Sequence, residues 1–184
     1  MARMIEKSEA LKSKTPANDT IFVALSLGSN LGDRRFYIES MEQALRSVLT
    51  GVKSSRVMET EPVGAGGGHP AYLNKVVSGY YSGSAYELLD RCLSIENGLG
   101  RDRPSHRAPR TADADILLFG DEEISDPPRL TVPHPELRNR RFCLEGLMRI
   151  DPSIIVPVDG RMLTVCEMYE NMRADVAAQN VSFL

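Results

Sequence analysis

Asp113 and Asp115 stand two residues apart at the mouth of an apolar segment, Ile116-Leu117-Leu118-Phe119. Aspartate is disfavoured in strands, so a pair in this position calls for a chemical reason. Side chains alternate along a strand, which points both carboxylates the same way with Cα atoms roughly 6.5 to 7 Å apart. Two such oxygen donors suit Mg²⁺. A bare Asp-x-Asp is as easily a solvated strand end, so the neighbouring residues decide between the two. Just upstream, Gly100-Arg101-Asp102-Arg103-Pro104-Ser105-His106-Arg107-Ala108-Pro109-Arg110 carries four arginines and a single acidic residue, with Gly and Pro breaking any helix. Arginine keeps its charge and offers a planar donor fork matched to phosphate oxygens. A cationic loop beside a Mg²⁺-type pair describes a polyphosphate site, because phosphoryl transfer relies on positioning, metal neutralisation and cationic clamps. A basic patch for nucleic acid has no need of the aspartates.

A third block, Arg129-Leu130-Thr131-Val132-Pro133-His134-Pro135, sets a histidine between two prolines, with Arg138, Arg140 and Arg141 close behind. Like charge from these arginines should depress the His134 pKa, and a bound phosphate would reverse that. The pattern marks His134 as a contact residue and does not make it a general base. The glycines of Gly64-Ala65-Gly66-Gly67-Gly68-His69-Pro70 do not form a dinucleotide fingerprint, since His69 falls where a third glycine is needed and Pro70 opens no helix. There is no G-x-x-x-x-G-K-[ST] either, so nucleotide binding here does not use a P-loop. The loop reads as a mobile connection that orders over bound substrates.

These three blocks, with Leu27-Gly28-Ser29-Asn30-Leu31-Gly32-Asp33 near the start, resemble the 6-hydroxymethyl-7,8-dihydropterin pyrophosphokinase family of folate synthesis, from about Ile21 to Pro157. The most specific agreement is Pro109-Arg110-Thr111-x-Asp113-x-Asp115-Ile116 followed by Leu130-Thr131-Val132-Pro133-His134. The resemblance implies transfer of a pyrophosphoryl group from ATP to the pterin hydroxymethyl oxygen, with attack at the β-phosphorus and release of AMP. It implies that Asp113 and Asp115 hold two Mg²⁺ ions, that Arg101 and Arg110 clamp phosphates, and that Arg140 adds charge. It assigns Glu96, Thr131 and His134 to the ATP site, His134 donating to a phosphate oxygen. Arg103 and Arg129 fall in the same shell, where a surface salt bridge explains each equally well. For the pterin it points to Thr60, Val63, Tyr72, Asn74 and Phe142, with Gly28-Ser29-Asn30 shaping the floor. A flat heterocycle needs an apolar slot and a few fixed polar groups, and an amide such as Asn74 both donates and accepts. The chain departs from the family pattern in having no tryptophan, Arg107-Ala108-Pro109 standing where many members carry one. Glu61 replaces a common proline, and Leu93 a polar residue.

Two other classes stay open on the residues alone. One is an RNA-binding module, which would use exposed strand aromatics and basic loops; the first strand has no aromatic ladder. The other is a different metal-dependent phosphotransferase or nucleotidyltransferase, which its products would separate.

The elements that must position these groups follow from the apolar pattern. Ile21 to Leu27 is a continuous apolar run of buried-strand type, stopped by Gly28. A helix should begin at Asp33, bury Phe36, Ile38, Met41, Leu45 and Leu49, and stop at Gly51. Strands are expected at about 52–60 and 73–81. Ser84 with Glu87 forms a capping box for a second helix whose stripe is Leu88, Leu89, Cys92, Leu93 and Ile95. A strand at 114–119 should turn to a short partner at 123–125, and helices should cover 140–148 and 163–172. The order β-α-β-β-α-β predicts an α+β sandwich of the ferredoxin-like kind, an antiparallel or mixed central sheet flanked by helices. Residues 20–172 form the expected single domain, with tails at 1–19 and 173–184. A net charge of −3 makes the basic loop a local device. The start has no apolar run of secretory type, nothing is long enough to cross a membrane, and Cys92, Cys143 and Cys166 fit buried thiols. The partners that the resemblance implies are small molecules, ATP and the pterin, with no nucleic acid and no membrane expected. The expected setting is cytoplasmic and the expected state a monomer.

Overall fold

A computed structural model describes residues 20–61, 70–100 and 111–184. The expected N-terminal tail, the glycine loop with Val63, and the arginine loop with Arg101, Arg103 and Arg110 lie outside them. The chain runs β1 (Ile21–Ser29), α1 (Arg34–Arg46), β2 (Thr50–Ser54), β3 (Met58–Thr60), β4 (Tyr72–Tyr81), α2 (Ala85–Gly98), β5 (Asp113–Phe119), β6 (Ile124–Asp126), β7 (Leu130–Val132), α3 (Arg141–Ile150), β8 (Ile155–Val158), β9 (Arg161–Thr164), α4 (Val165–Glu170), α5 (Ala174–Ala177) and β10 (Val181–Phe183). β4 is paired on one side with β1 and on the other with both β2 and β3, while β5 flanks β1 and β10 flanks β3. These pairings are antiparallel. This is the α+β architecture expected from the element order.

The sheet is covered on both faces, so β1 needs apolar or small side chains on each, which its unbroken run supplies. Val23, Leu25 and Leu27 pack with Ile38, Met41 and Leu45 of α1 and with Leu88 and Cys92 of α2. On the opposite face Ala24, Val76 and Leu117 meet Cys143, Leu144 and Leu147 of α3 and Val165 and Met168 of α4. A register shift between Ala24 and Leu25 leaves both Leu117 and Leu118 on the α3 side. Both predicted caps form: Asp33 accepts from the Phe36 N–H, and Ser84 with Glu87 makes a complete capping box.

Several expectations are corrected. The helix after Asp33 ends at Arg46, and Gly51, with φ +61°, lies inside β2 instead of stopping it. Phe36 is 55 % exposed and packs edge-on against Tyr37. The strand foreseen over 52–60 is broken at Ser55, whose hydroxyl takes the Val76 N–H that a continuous strand would have bonded. β6 does not pair with β5; it forms a separate hairpin with β7. Cys92 and Cys143 are buried, but Cys166 is partly exposed. The segment read as a C-terminal tail contributes α5 and β10, and the β8–β9 hairpin was not foreseen. No helix of the described residues is long and apolar enough to cross a membrane.

Glu42 of α1 ties that helix to the sheet, accepting from Lys75 of β4, from Ser54 of β2 at 2.9 Å and from Arg46 at 2.6 Å. Burial pushes its carboxyl pKa up, but the bonds from Lys75, Arg46 and Ser54 outweigh this and hold it below its ordinary value. A depressed carboxylate stabilises the fold above its ordinary pKa, and that stability is lost as pH falls. Glu42→Gln should therefore be less stable than the parent at pH 7, and the gap should narrow as pH drops below 4.5; urea midpoints at a series of pH values would check this. The α3 packing is tested at Gly146, where an added Cβ would sit 2.3 Å from Val76 Cγ2 and 2.7 Å from Val76 Cβ. Despite the better helix propensity of alanine, Gly146→Ala should cost about 2 kcal/mol of unfolding free energy. A midpoint equal to the parent's would contradict so close an approach.

Candidate active site

The site grows from one row across the sheet. Gly28 of β1 is opposite Asn74 of β4 on one side and Asp113 of β5 on the other, and Ser26 is opposite Asp115. Directly opposed residues share a face, so Asn74, Asp113 and Asp115 all emerge on the α3 side. Gly28 supplies the gap between them: a Cβ there would lie 3.3 Å from Asn74 Oδ1 and 3.8 Å from Asp113 Cβ. Asn74 Nδ2 donates to Thr60 Oγ1 at 2.8 Å, which orients the amide and leaves Oδ1 on the Gly28 side. Tyr72 pairs with Thr60 and, two residues from Asn74, belongs to the same face. Phe142, in the first turn of α3, packs half-buried against the core on this side. Four of the five residues expected at the pterin are thus described, on β3, β4 and the start of α3.

On β5 the strand edge away from β1 is held by two contacts. Glu96, 2 % exposed on α2, accepts the Ala114 N–H at 2.8 Å, between the two aspartates. The His134 N–H donates to the Leu117 carbonyl at 3.0 Å. An open strand edge exposes unpaired backbone groups, and here the residues that close it also fix the carboxylates. The resemblance assigns Glu96 to the ATP site; in the structure its carboxylate also bonds the backbone of β5.

His134 Nδ1 accepts the Glu136 N–H at 3.1 Å, which puts the proton of a neutral ring on Nε2. Nε2 lies 3.8 Å from Asp115 Oδ2. Burial, then the Arg140 guanidinium, push the His134 pKa down to about 4, against smaller opposing effects of Asp113 and Glu136. The depression expected from the arginines is present, with burial as the larger cause. At neutral pH the 3.8 Å approach is therefore between a neutral imidazole and a carboxylate and is no ion pair, and Nε2–H is a donor available to an oxygen. Arg140, which precedes α3, brings Nη1 to 3.9 Å from Asp115 Oδ2. Thr131 lies half-buried on β7, paired with Ser125. Arg129, just before β7, has its guanidinium 4.6 Å above the Tyr86 ring, whose hydroxyl donates to Asp126 at 3.0 Å.

Among the described residues no group of three or more His, Cys, Asp and Glu side chains could hold a metal. Two carboxylates on one strand face fit Mg²⁺, which keeps waters and takes its remaining oxygens from substrate phosphates. The donor set suits a metal that arrives with a polyphosphate.

Fold and site together describe an α+β phosphotransferase-type domain with a carboxylate pair at one end of the sheet. Residues 24–152 match the family model described as 7,8-dihydro-6-hydroxymethylpterin-pyrophosphokinase (HPPK). The chain belongs to this family. Over 128 residues it is 41 % identical to the 2-amino-4-hydroxy-6-hydroxymethyldihydropteridine pyrophosphokinase of Bacillus subtilis, covering 68 % of this chain and 75 % of that protein. It is 37 % identical to a folate synthesis bifunctional protein of Chlamydia muridarum over 71 % of this chain, but spans only 30 % of that longer relative. Its fold is similar to that of a Plasmodium falciparum HPPK-DHPS structure, with a TM-score of 0.60 at 13 % identity, covering 92 % of this chain and 49 % of that one.

The clasp on β5 gives a test independent of activity. Glu96→Ala strips the acceptor from a buried N–H and should cost about 1–3 kcal/mol. Glu96→Gln, which keeps a carbonyl oxygen in place, should recover part of it. Equal unfolding midpoints for the parent and Glu96→Ala would mean that Glu96 does not hold the strand.

Proposed function

We propose that this protein transfers the pyrophosphoryl group of ATP to the hydroxymethyl group of 6-hydroxymethyl-7,8-dihydropterin, giving the pterin diphosphate and AMP in folate synthesis. The observation that carries the proposal is the row Asn74–Gly28–Asp113: an oriented amide and a metal-type carboxylate face the same space across a position without a side chain. Such a row lets a flat ring lie against β4 and β1 while its substituent reaches β5.

In this reading Asn74 accepts from the pterin edge through Oδ1, held by its bond to Thr60, and Tyr72, Val63 and Phe142 form the slot. Asp113 and Asp115 would hold Mg²⁺, two ions by the resemblance, and the metal would supply neutralisation of the phosphate charge. His134 donates from Nε2 to a phosphate oxygen, the nitrogen left free by the bond of Nδ1 to the Glu136 N–H. Arg140 adds positive charge beside Asp115; Arg101 and Arg110 clamp the phosphates from the arginine loop, with Glu96, Arg103, Arg129 and Thr131 around the nucleotide. Most of the rate then comes from alignment and charge neutralisation, since the protein adds no covalent step. The setting we assign is the cytoplasm and the state a monomer.

The test is a Mg²⁺-dependent assay with ATP and the dihydropterin that quantifies AMP, ADP and pyrophosphate. AMP and pterin diphosphate should appear in equal amounts, and Asp113→Ala and Asp115→Ala, folded by circular dichroism, should each lose about a hundredfold or more of kcat. ADP as the nucleotide product would mean single phosphoryl transfer, and pyrophosphate would mean nucleotidyl transfer.

A further inference from the structure

The first turn of α3 carries Arg140 and Phe142, yet it lacks a cap of its own: Arg140 occupies the N-cap position and makes no side-chain cap bond. The orphan N–H of Arg141 is met from far along the chain. Gln179 Oε1 accepts it at 3.0 Å, while Gln179 Nε2 donates to the Asn139 carbonyl at 2.8 Å, so one amide grips the backbone on both sides of Arg140. The grip is returned, Arg141 Nη1 donating to the carbonyls of Ala177 at 2.8 Å and Gln179 at 3.1 Å. Arg173 adds a bond to Asn139 at 3.2 Å. Two residues after Gln179 the chain enters β10 and pairs Val181 with Thr60, Ser182 with Glu59 and Phe183 with Met58. Asn180, between the two attachments, reaches Glu61 at 3.4 Å.

The same dozen residues therefore hold both the α3 turn that presents Phe142 and the β3 strand that presents Thr60. Those two residues stand on different elements and are far apart in sequence. The dozen C-terminal residues themselves lie beyond residue 152, where the family-model match ends.

We propose that the C-terminal segment is a clasp that sets the spacing of the pterin slot, and that Gln179 is its positioning residue. This rests on the assignment of Thr60, Asn74 and Phe142 to the pterin. Gln179 touches no substrate; it acts through Arg141 and Asn139 on where Phe142 and Arg140 stand.

The test compares Gln179→Met, which keeps volume but neither hydrogen bond, with Gln179→Glu, which keeps the acceptor for the Arg141 N–H. Dihydropterin Kd by equilibrium dialysis without nucleotide, KM and kcat, and hydrogen exchange at the Arg141 and Phe142 amides would be measured well below the unfolding temperature. Gln179→Met should speed exchange at those amides and raise pterin Kd and KM about tenfold, with kcat little changed, and Gln179→Glu should restore most of the affinity. Should Gln179→Met not fold, Gln179→Glu against the parent still tests the idea, because loss of only the Asn139 bond should weaken pterin binding by about two- to threefold. Faster exchange with an unchanged pterin Kd would overturn the positioning role, leaving a clasp that only stabilises. A parent protein that protects the Arg141 amide but binds no dihydropterin would overturn the proposed function, and this role with it.

Discussion

The register in which β5 pairs with β1 sets everything at the candidate site. Asp113 falls opposite Gly28 and Asp115 opposite Ser26, which puts both carboxylates on the face that Asn74 shares. Because strand side chains alternate, a slip of one residue would turn both aspartates to the face packed by α1 and α2 and bring Ala114 into their place. The apolar residues after Asp115 prevent such a slip. Ile116 packs toward α2 and Leu117 toward α3, so the core that stabilises β5 also fixes the direction of its polar end.

Chemistry at a strand end needs more than register, since the last residues of an edge strand fray. Here buried Glu96 takes the Ala114 N–H, and the turn carrying His134 takes the Leu117 carbonyl. The same turn points Nε2 of His134 at Asp115, and the next helix starts with Arg140 beside it. Positive charge thus reaches Asp115 from a residue placed by α3, while the neighbouring imidazole stays neutral.

Much of this was legible in the residues. Asp113-x-Asp115 before an apolar run fixes both the strand and the shared direction of the carboxylates, and Ser84 with Glu87 marks where α2 begins. Asn74 and Thr60 could be named from the resemblance, and their hydrogen bond gives that pair a physical reason. What could not be read was non-local. Glu96 was assigned to the ATP site through the resemblance alone, and its bond to the Ala114 N–H, 18 residues away, had no signal in the residues around it. Gln179 sits in a short polar stretch without periodicity, so nothing local signalled that it caps a helix 38 residues earlier. Ser55 gave no sign that its hydroxyl would interrupt a strand, and Gly51 resembled a helix stop because its positive φ serves a strand bend just as well.

In the function we propose, one face of the sheet brings a metal-bound polyphosphate and a pterin together across Gly28. A crystal structure with Mg²⁺, dihydropterin and an ATP analogue blocked between the α and β phosphorus atoms tests it most directly. Oxygens of both Asp113 and Asp115 should lie about 2.1 Å from Mg²⁺, with the pterin edge bonded to Asn74 and the hydroxymethyl group pointing over Gly28. Magnesium bound without either aspartate, or a pterin seated away from Asn74, would contradict the account.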